Sequence, residues 1–320
     1  MSEMGRRAMR DVLIEGVYER MDHNEQIYFL SADFGSPALD LVREHFPDRF
    51  ASVGIAEQNL INIATGLALE GFTVFAYAIA PFLSMRAYDQ IRTNLSLHAP
   101  FKTLNVNLIG VGTGLSYDVS GPTHHCLEDI TLMRLLPGIE LFSPSDWKLT
   151  QQLLTHCLNT RTPKYLRLDS KSLPAIYEQE HEIDVEQGFA ELMHGEQVCL
   201  ISTGFMTHTA LKVAQLLAEQ DLHITVIDLF SLTSYDKDAL YAHLQPCSYV
   251  ITLEEAFICR GGLDSLIADL LLEKHQSGVQ FLRMGIHNYH LFEGGGREHL
   301  HHVHGLDAES ISRRIEQLCS

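Results

Sequence analysis

Residues 52–71 read SVGIAEQNLINIATGLALEG, and this stretch carries the clearest helical pattern in the first half of the chain. Apolar residues recur at helical spacing after Glu57, which predicts an amphipathic helix that starts at Glu57 and stops at Gly71. The predicted core-facing residues are Leu60, Ile63, Ala64, Leu67 and Ala68. The pattern places one carboxylate between a strand and an apolar helix, partly removed from water. A carboxylate at a helix start is more often a solvated partner of the helix dipole, so this feature alone does not establish catalysis.

Outward from this stretch, short apolar runs alternate with helical patterns, which is typical of parallel sheets covered by helices. The predicted strands are residues 26–32, 72–80, 102–110, 139–143, 164–168, 198–202, 223–228, 248–252 and 279–283. Further helices are predicted at 83–97 and 146–158, and a last one from Asp307. The polar, acidic stretch 169–186 indicates a linker. We therefore predict an α/β fold of two domains, residues 1–184 with the linker and 185–320, each a mainly parallel sheet covered by helices.

Charge and composition narrow the class of protein. Asp and Glu outnumber Lys and Arg by 41 to 23, and the resulting net charge of -18 disfavours binding to nucleic acid or to an anionic membrane surface. The N-terminal residues lack the apolar core of a signal peptide, and no apolar run is long enough to cross a bilayer. The six cysteines form no CxxC pair, so they indicate neither zinc nor a disulfide framework. These features predict a cytoplasmic protein.

Four further blocks accompany the Glu57 segment in a fixed order. They are LSADFGSP at 30–37, APFLSMRAYDQIR at 80–92, DVSGPTHHCLEDI at 118–130 and TLEEAFICRGGLDS at 252–265. Together with residues 52–71 they resemble the C-terminal half of transketolases over nearly the whole chain. The resemblance implies a thiamine-diphosphate pyrimidine-binding fold followed by a transketolase C-terminal-like domain.

The resemblance also implies where the cofactor binds. Glu57 matches the glutamate that exchanges a proton with the aminopyrimidine ring of thiamine diphosphate. Phe82, Met85 and Tyr88 stand at i, i+3 and i+6, so on a regular helix they share one face and wall that ring. Asp33, in the first of the four blocks, is a further cofactor-binding candidate.

Substrate contacts are implied by the block that follows residue 117. His124 matches the family histidine that contacts substrate oxygens and is a catalytic candidate, with His125 beside it. Ser120 and Gly112 stand where transketolases usually carry a substrate-binding aspartate and another histidine. At both positions the sequence resembles the short, split transketolase-like chains. These two differences leave the identity of the sugar open.

Two arginines and a histidine group complete the candidates. Arg6 and Arg167 match arginines that hold the substrate phosphate in transketolases, a task that suits a planar guanidinium. The histidines of the group, His299, His301, His302 and His304, lack neighbouring cysteines and regular spacing, so we expect a polar loop beside the last helix and assign no metal site.

One family motif is missing from the sequence. Transketolases hold the diphosphate through a metal ion bound by a GDG motif and an asparagine, and this sequence contains no GDG. We therefore expect a separate partner chain that supplies the diphosphate-binding domain and the Mg²⁺ or Ca²⁺ ion, in an α2β2 assembly that acts on sugar phosphates. The open alternatives are a subunit of another thiamine-diphosphate enzyme, either 1-deoxyxylulose-phosphate synthase-like or the beta subunit of a 2-oxo-acid dehydrogenase, and a noncatalytic scaffold subunit.

Overall fold

The chain folds into two α/β units, as a computed structural model shows for residues 5–32, 35–178 and 183–319. The strands of the first part are β1 (Arg7–Ala8), β2 (Ile27–Ser31), β3 (Phe50–Ser52), β4 (Thr73–Ile79), β5 (Val106–Val111), β6 (Glu140–Phe142), β7 (Lys164–Leu168) and β8 (Ser172–Leu173). Six of them form a parallel sheet in the order β3-β2-β4-β5-β7-β6, and β1 pairs with β8 in a separate antiparallel ribbon. Every residue of β5 and β7 is buried, as expected for central parallel strands covered on both faces.

Helices cover both faces of this sheet. They are α1 (Met9–Met21), α2 (Pro37–His45), α3 (Glu57–Leu69), α4 (Tyr88–Gln90), α5 (Asp129–Arg134) and α6 (Trp147–Asn159). Side-chain hydrogen bonds at the N-cap mark where two of these helices begin. The Ser36 side chain accepts a hydrogen bond from the Leu39 N–H at the start of α2, and the Asp146 side chain does the same for the Leu149 N–H at the start of α6.

The second unit repeats the same architecture with one antiparallel edge. Its strands are β9 (Phe189–Met193), β10 (Val198–Ser202), β11 (Thr225–Leu229), β12 (Tyr249–Phe257) and β13 (Gln280–Ile286), in the order β13-β12-β10-β11-β9. Its helices are α7 (Met206–Ala218), α8 (Lys237–Leu244), α9 (Leu263–Glu273), α10 (Arg297–Val303) and α11 (Ala308–Cys319). Only β9 runs antiparallel to its neighbour in this sheet. The predicted α/β class with two mainly parallel sheets is confirmed.

Two helical predictions need correction. The segment predicted as one helix at 83–97 contains wide π-type turns at Phe82–Arg86 and Ile91–Ser96 on either side of α4. Such turns insert extra residues and change which side chains share a face. In α3 the core side holds Ile61 and Thr65, whereas Ile63 is 36% exposed, so the buried face is rotated from the predicted one.

Other differences concern the linker and the histidine group. The segment predicted as the linker contains β8 and the buried side chain of Tyr177. The expected histidine-rich loop is wrong, since residues 297–303 form α10 and His301 lies in the core of the molecule. None of the helices in the described part of the chain has both the length and the apolar character needed to span a membrane.

A buried carboxyl joins the two units. Asp228, in β11, accepts hydrogen bonds from the Ser145 hydroxyl (2.5 Å) and the Tyr177 hydroxyl (2.7 Å), which belong to the first unit and the linker. The Thr207 hydroxyl donates a third bond at 3.0 Å. Burial raises the pKa of Asp228 to about 7, because a charged carboxylate is disfavoured away from water.

This carboxyl predicts a measurable pH effect. In the unfolded chain Asp228 loses its proton at about pH 4. In the folded chain its pKa is about 7, so it keeps the proton to a higher pH. Folding therefore takes up a proton between these values, and this group lowers the free energy of unfolding as pH rises, by at most about 1.4 kcal/mol per pH unit. We expect the Asp228→Asn variant to lack this contribution in chemical denaturation at several pH values. Parallel pH profiles for the two proteins would refute the assignment.

Candidate active site

Three of the predicted site residues follow the carboxyl ends of strands in the first sheet. The segments that follow the carboxyl ends of β3, β4 and β5 carry Glu57, Phe82 and His124, respectively. In open parallel sheets, ligands bind at this edge because the loops and the helix N-termini meet there. The sheet therefore gathers residues that are far apart in the sequence.

Glu57 is the first residue of α3 and is only 2% exposed. The preceding turn includes Gly54, whose φ of +70° suits a residue without a side chain. The Oε2 atom of Glu57 accepts a hydrogen bond from Arg86 Nη1 at 2.9 Å, while the Arg86 side chain is 46% exposed. A buried carboxylate is thus compensated by a cation that reaches it from the surface.

Ring contacts extend from this ion pair along the site. The Arg86 guanidinium lies 4.9 Å from the centre of the Phe82 ring, and the Phe82 ring meets the His124 ring edge-on at 5.4 Å. The His124 ring in turn meets the Tyr117 ring edge-on at 6.3 Å. We call these five residues, Glu57, Arg86, Phe82, His124 and Tyr117, the active-site row. It combines a buried carboxylate, a guanidinium, aromatic rings and an imidazole.

The other cofactor candidates do not belong to the active-site row. Met85 lies 42% exposed in the wide turn Phe82–Arg86. The Tyr88 hydroxyl donates a hydrogen bond to the Leu132 carbonyl oxygen at 3.0 Å, and its ring packs against the core. This contact gives Tyr88 a structural role whether or not it also borders the cofactor. Asp33 lies outside the described residues.

The turn that precedes His124 holds two substrate candidates. Ser120 is exposed at the end of a short turn, Asp118–Ser120. His125 is 5% exposed, its Nε2 lies 3.4 Å from the Asp118 carbonyl oxygen, and its Nδ1 has no hydrogen-bond partner among the described residues. Burial lowers the pKa of His125, which favours the neutral ring.

The two predicted phosphate-binding arginines differ in their surroundings. Arg6 is exposed, and its Nε and Nη2 donate to the Ser172 carbonyl oxygen at 3.2 and 2.9 Å, with no carboxylate partner within the described chain. Arg167 is 4% exposed, and its Nε donates to both oxygens of Asp129 at 3.1 and 3.0 Å. A phosphate would have to displace this buried carboxylate, so the geometry gives no support to a phosphate-binding role for Arg167.

The absence of a side chain at Gly112 has a direct structural reason. Gly112 has a φ of +94°, and a Cβ atom there would lie 1.9 Å from the nearest Tyr117 ring carbon. The Tyr117 ring therefore occupies the space into which a side chain at position 112 would extend.

We expect the Gly112→Ala variant to lose about 1–3 kcal/mol of unfolding free energy, because it adds backbone strain and displaces the Tyr117 ring. Gly66→Ala is the matched control, since Gly66 lies within α3 and a Cβ there meets nothing within 4 Å. That control should gain about 0.5–1 kcal/mol. Equal changes in the two denaturation curves would argue against the close packing at Gly112.

The second unit supports the site through a buried ion cluster. Arg297 donates to Glu255 through Nε (2.7 Å) and Nη2 (2.6 Å) and to Asp169 through Nη1 (2.6 Å). Its backbone N–H donates to Asp118 Oδ2 at 2.9 Å, and His301 Nε2 also contacts Glu255. The start of α10 is thereby fixed to the turn that precedes His124.

Sequence patterns did not identify three residues of the site and its supporting ion cluster, which are Arg86, Tyr117 and Arg297. Arg86 lies within the block at 80–92, four residues after Phe82, so its charge in an apolar segment was the available signal. Tyr117 and Arg297 carry no such signal, because only the tertiary fold brings them to His124 and Asp118. Among the described residues, no group of three or more His, Cys, Asp or Glu side chains is arranged to hold a metal ion.

Fold and site together define a class: a two-domain α/β chain whose first domain carries a buried glutamate, the arginine that pairs with it and an aromatic ring beside that arginine. The transketolase pyrimidine-binding domain pattern matches residues 6–175, and the transketolase C-terminal domain pattern matches residues 189–311. The chain belongs to the transketolase family.

Known relatives of similar length agree with this membership. An apulose-4-phosphate transketolase subunit from Actinobacillus succinogenes is 33% identical over 95% of this chain and 96% of its own length. A putative transketolase C-terminal section from Methanocaldococcus jannaschii is 30% identical over 97% of this chain and 95% of its own. A solved structure described as a split gene transketolase, an inactive beta4 tetramer, superposes with a TM-score of 0.84 at 29% identity, covering 98% of both chains.

Proposed function

We propose that this chain is the pyrimidine-binding subunit of a split, thiamine-diphosphate-dependent transketolase. It would transfer a two-carbon ketol unit from a ketose or ketose phosphate to an aldose or aldose phosphate. The observation that carries the proposal is the buried Glu57 carboxylate at the start of α3, which accepts a hydrogen bond from Arg86 at the beginning of the active-site row. Two relatives that align over nearly their whole length are named as transketolase subunits.

The residues at Glu57 fit the pyrimidine ring of the cofactor. Glu57 is buried, but the side chain that pairs with it, Arg86, is nearly half exposed and has room to turn away. Phe82 and Met85 offer a partly exposed aromatic and thioether surface on which a flat heterocycle can lie. When bound, thiamine diphosphate supplies the nucleophilic carbon for ketol transfer.

This chain's own residues then have separate tasks. Glu57 exchanges a proton between its carboxylate oxygen and a ring nitrogen of the pyrimidine. His124 donates hydrogen bonds to substrate oxygens and moves protons there. Ser120 and His125 border the substrate, and Arg6 binds a substrate phosphate where one is present. Arg167 holds Asp129 and the adjoining backbone in place rather than a ligand.

A partner chain completes the site in this proposal. Apolar side chains lie exposed around Glu57: Ile55 is 73% exposed, Ile63 36% and Met85 42%. A second subunit that supplies the diphosphate-binding domain with its Mg²⁺ or Ca²⁺ ion would cover them in an α2β2 assembly. The proposed location is the cytoplasm, which rests on the sequence composition.

Turnover assays with the reconstituted pair test the function. The complex of this chain with a diphosphate-binding transketolase chain should transfer a two-carbon unit from hydroxypyruvate to an aldose acceptor. Each chain alone should be inactive. Turnover of pyruvate without any ketol transfer would instead favour a synthase or a 2-oxo-acid dehydrogenase subunit, and no turnover of either would favour a scaffold subunit.

A further inference from the structure

The Tyr117 hydroxyl is free to bind a ligand. It makes no hydrogen bond within the described parts of the chain, although the ring is held between the Gly112 backbone and the His124 ring. The side chain is only half-buried, so the hydroxyl group is not enclosed in the core. Burial raises the pKa of Tyr117 to about 12, so the hydroxyl keeps its proton and acts as a donor at neutral pH.

The charges around this hydroxyl are already balanced. Arg10 and Asp169 are the charged groups that act on it. Arg10 donates to Asp11 at 2.8 Å, and Asp169 accepts from Arg297 at 2.6 Å. A phosphate placed here would find no unpaired cation among them and would lie close to a carboxylate. The surroundings of Tyr117 therefore favour a neutral polar group over an anion.

Tyr117 lies at the end of the active-site row opposite to Glu57. The active-site row begins at Glu57, where the cofactor ring is proposed to lie, and ends at Tyr117, with His124 between the Phe82 and Tyr117 rings. A substrate held by His124 next to the cofactor therefore extends toward Tyr117.

We infer that Tyr117 is a specificity-determining residue, which closes the substrate end of the row and donates a hydrogen bond to a neutral hydroxyl or carbonyl oxygen of the sugar. The inference rests on the proposed function and adds the substrate group recognised there. The proposed place for a phosphate on the sugar remains Arg6, whose guanidinium has no carboxylate partner in the described chain.

The test compares two acceptors in the reconstituted complex, with hydroxypyruvate as donor and either D-ribose or D-ribose 5-phosphate as acceptor. Tyr117→Phe removes one neutral hydrogen bond, so KM for both acceptors should rise by the same factor of about three to ten, with kcat and cofactor affinity unchanged. Arg6→Ala should raise KM for the phosphorylated acceptor alone. Tyr18→Phe, on α1 away from the row, is the matched control and should change neither KM.

Each outcome bears on one of the two proposals. An unchanged KM in Tyr117→Phe, or a rise confined to ribose 5-phosphate, overturns the role of Tyr117 while cofactor binding and turnover keep the proposed function intact. A wild-type complex that binds no thiamine diphosphate, or binds it without ketol transfer to either acceptor, overturns the proposed function and this inference together.

Discussion

Replacing Glu57 with glutamine is expected to lower kcat of the reconstituted enzyme by about 100-fold or more. The amide keeps the size of the side chain but cannot exchange a proton with the cofactor ring. Glu57 is 2% exposed at the start of α3, and Arg86 donates a hydrogen bond to its carboxylate. Steady-state turnover with saturating cofactor measures the effect.

Glu70→Gln is the matched control for this variant. Glu70 ends the same helix on the exposed surface, so its substitution should leave kcat unchanged. Circular dichroism and the thermal midpoint should show that both variants are folded. A Glu57→Gln enzyme with wild-type turnover would refute the catalytic role of this residue and strengthen the scaffold alternative.

Replacing Arg297 with alanine should produce the largest loss of stability, about 3–5 kcal/mol. The change leaves Glu255 and Asp169 buried without their cation, and a buried unpaired carboxylate is strongly unfavourable. Burial alone would raise the pKa of Glu255, but Arg297 and His301 hold it well below its usual range. Without Arg297, burial should raise the pKa of Glu255 above that of the unfolded chain, so the variant should lose further stability as pH rises above about 4.

Two further variants make this prediction decisive. Arg313→Ala changes an exposed arginine of α11 and should alter the free energy of unfolding by less than about 0.5 kcal/mol. Arg297→Lys keeps a charge but cannot bond both carboxylates in the same way, so its stability should lie between wild type and alanine. A native-like denaturation midpoint for Arg297→Ala would show that the cluster does not stabilise the junction.

Much of this fold follows from local sequence signals. The helical spacing of apolar residues after Glu57 predicts α3, and the mostly apolar stretches at β5 and β7 predict buried strands. The ordered blocks also predict that Phe82 and His124 belong to one site, and the structure brings their rings together.

Other features depend on contacts that no local pattern records. The rotation of α3 that exposes Ile63 is set by how the helix packs on the sheet. The π-type turns after β4 insert residues without any glycine or proline inside Phe82–Arg86 to mark them. Arg167 resembles a phosphate ligand by position, yet its charge is used by Asp129, a residue 38 positions earlier. Long-range pairing of this kind is visible only in three dimensions.

Calorimetric titration of thiamine diphosphate with Mg²⁺ is the most direct measurement of whether two chains enclose the cofactor with Glu57 at their junction. It should be carried out on this chain alone, on a diphosphate-binding transketolase chain alone, on their mixture, and on the mixture with Glu57→Ala. We predict tight binding only in the wild-type mixture, and at least about tenfold weaker binding with Glu57→Ala. Equally tight binding to either chain alone, or to the mixture with Glu57→Ala, would contradict this account.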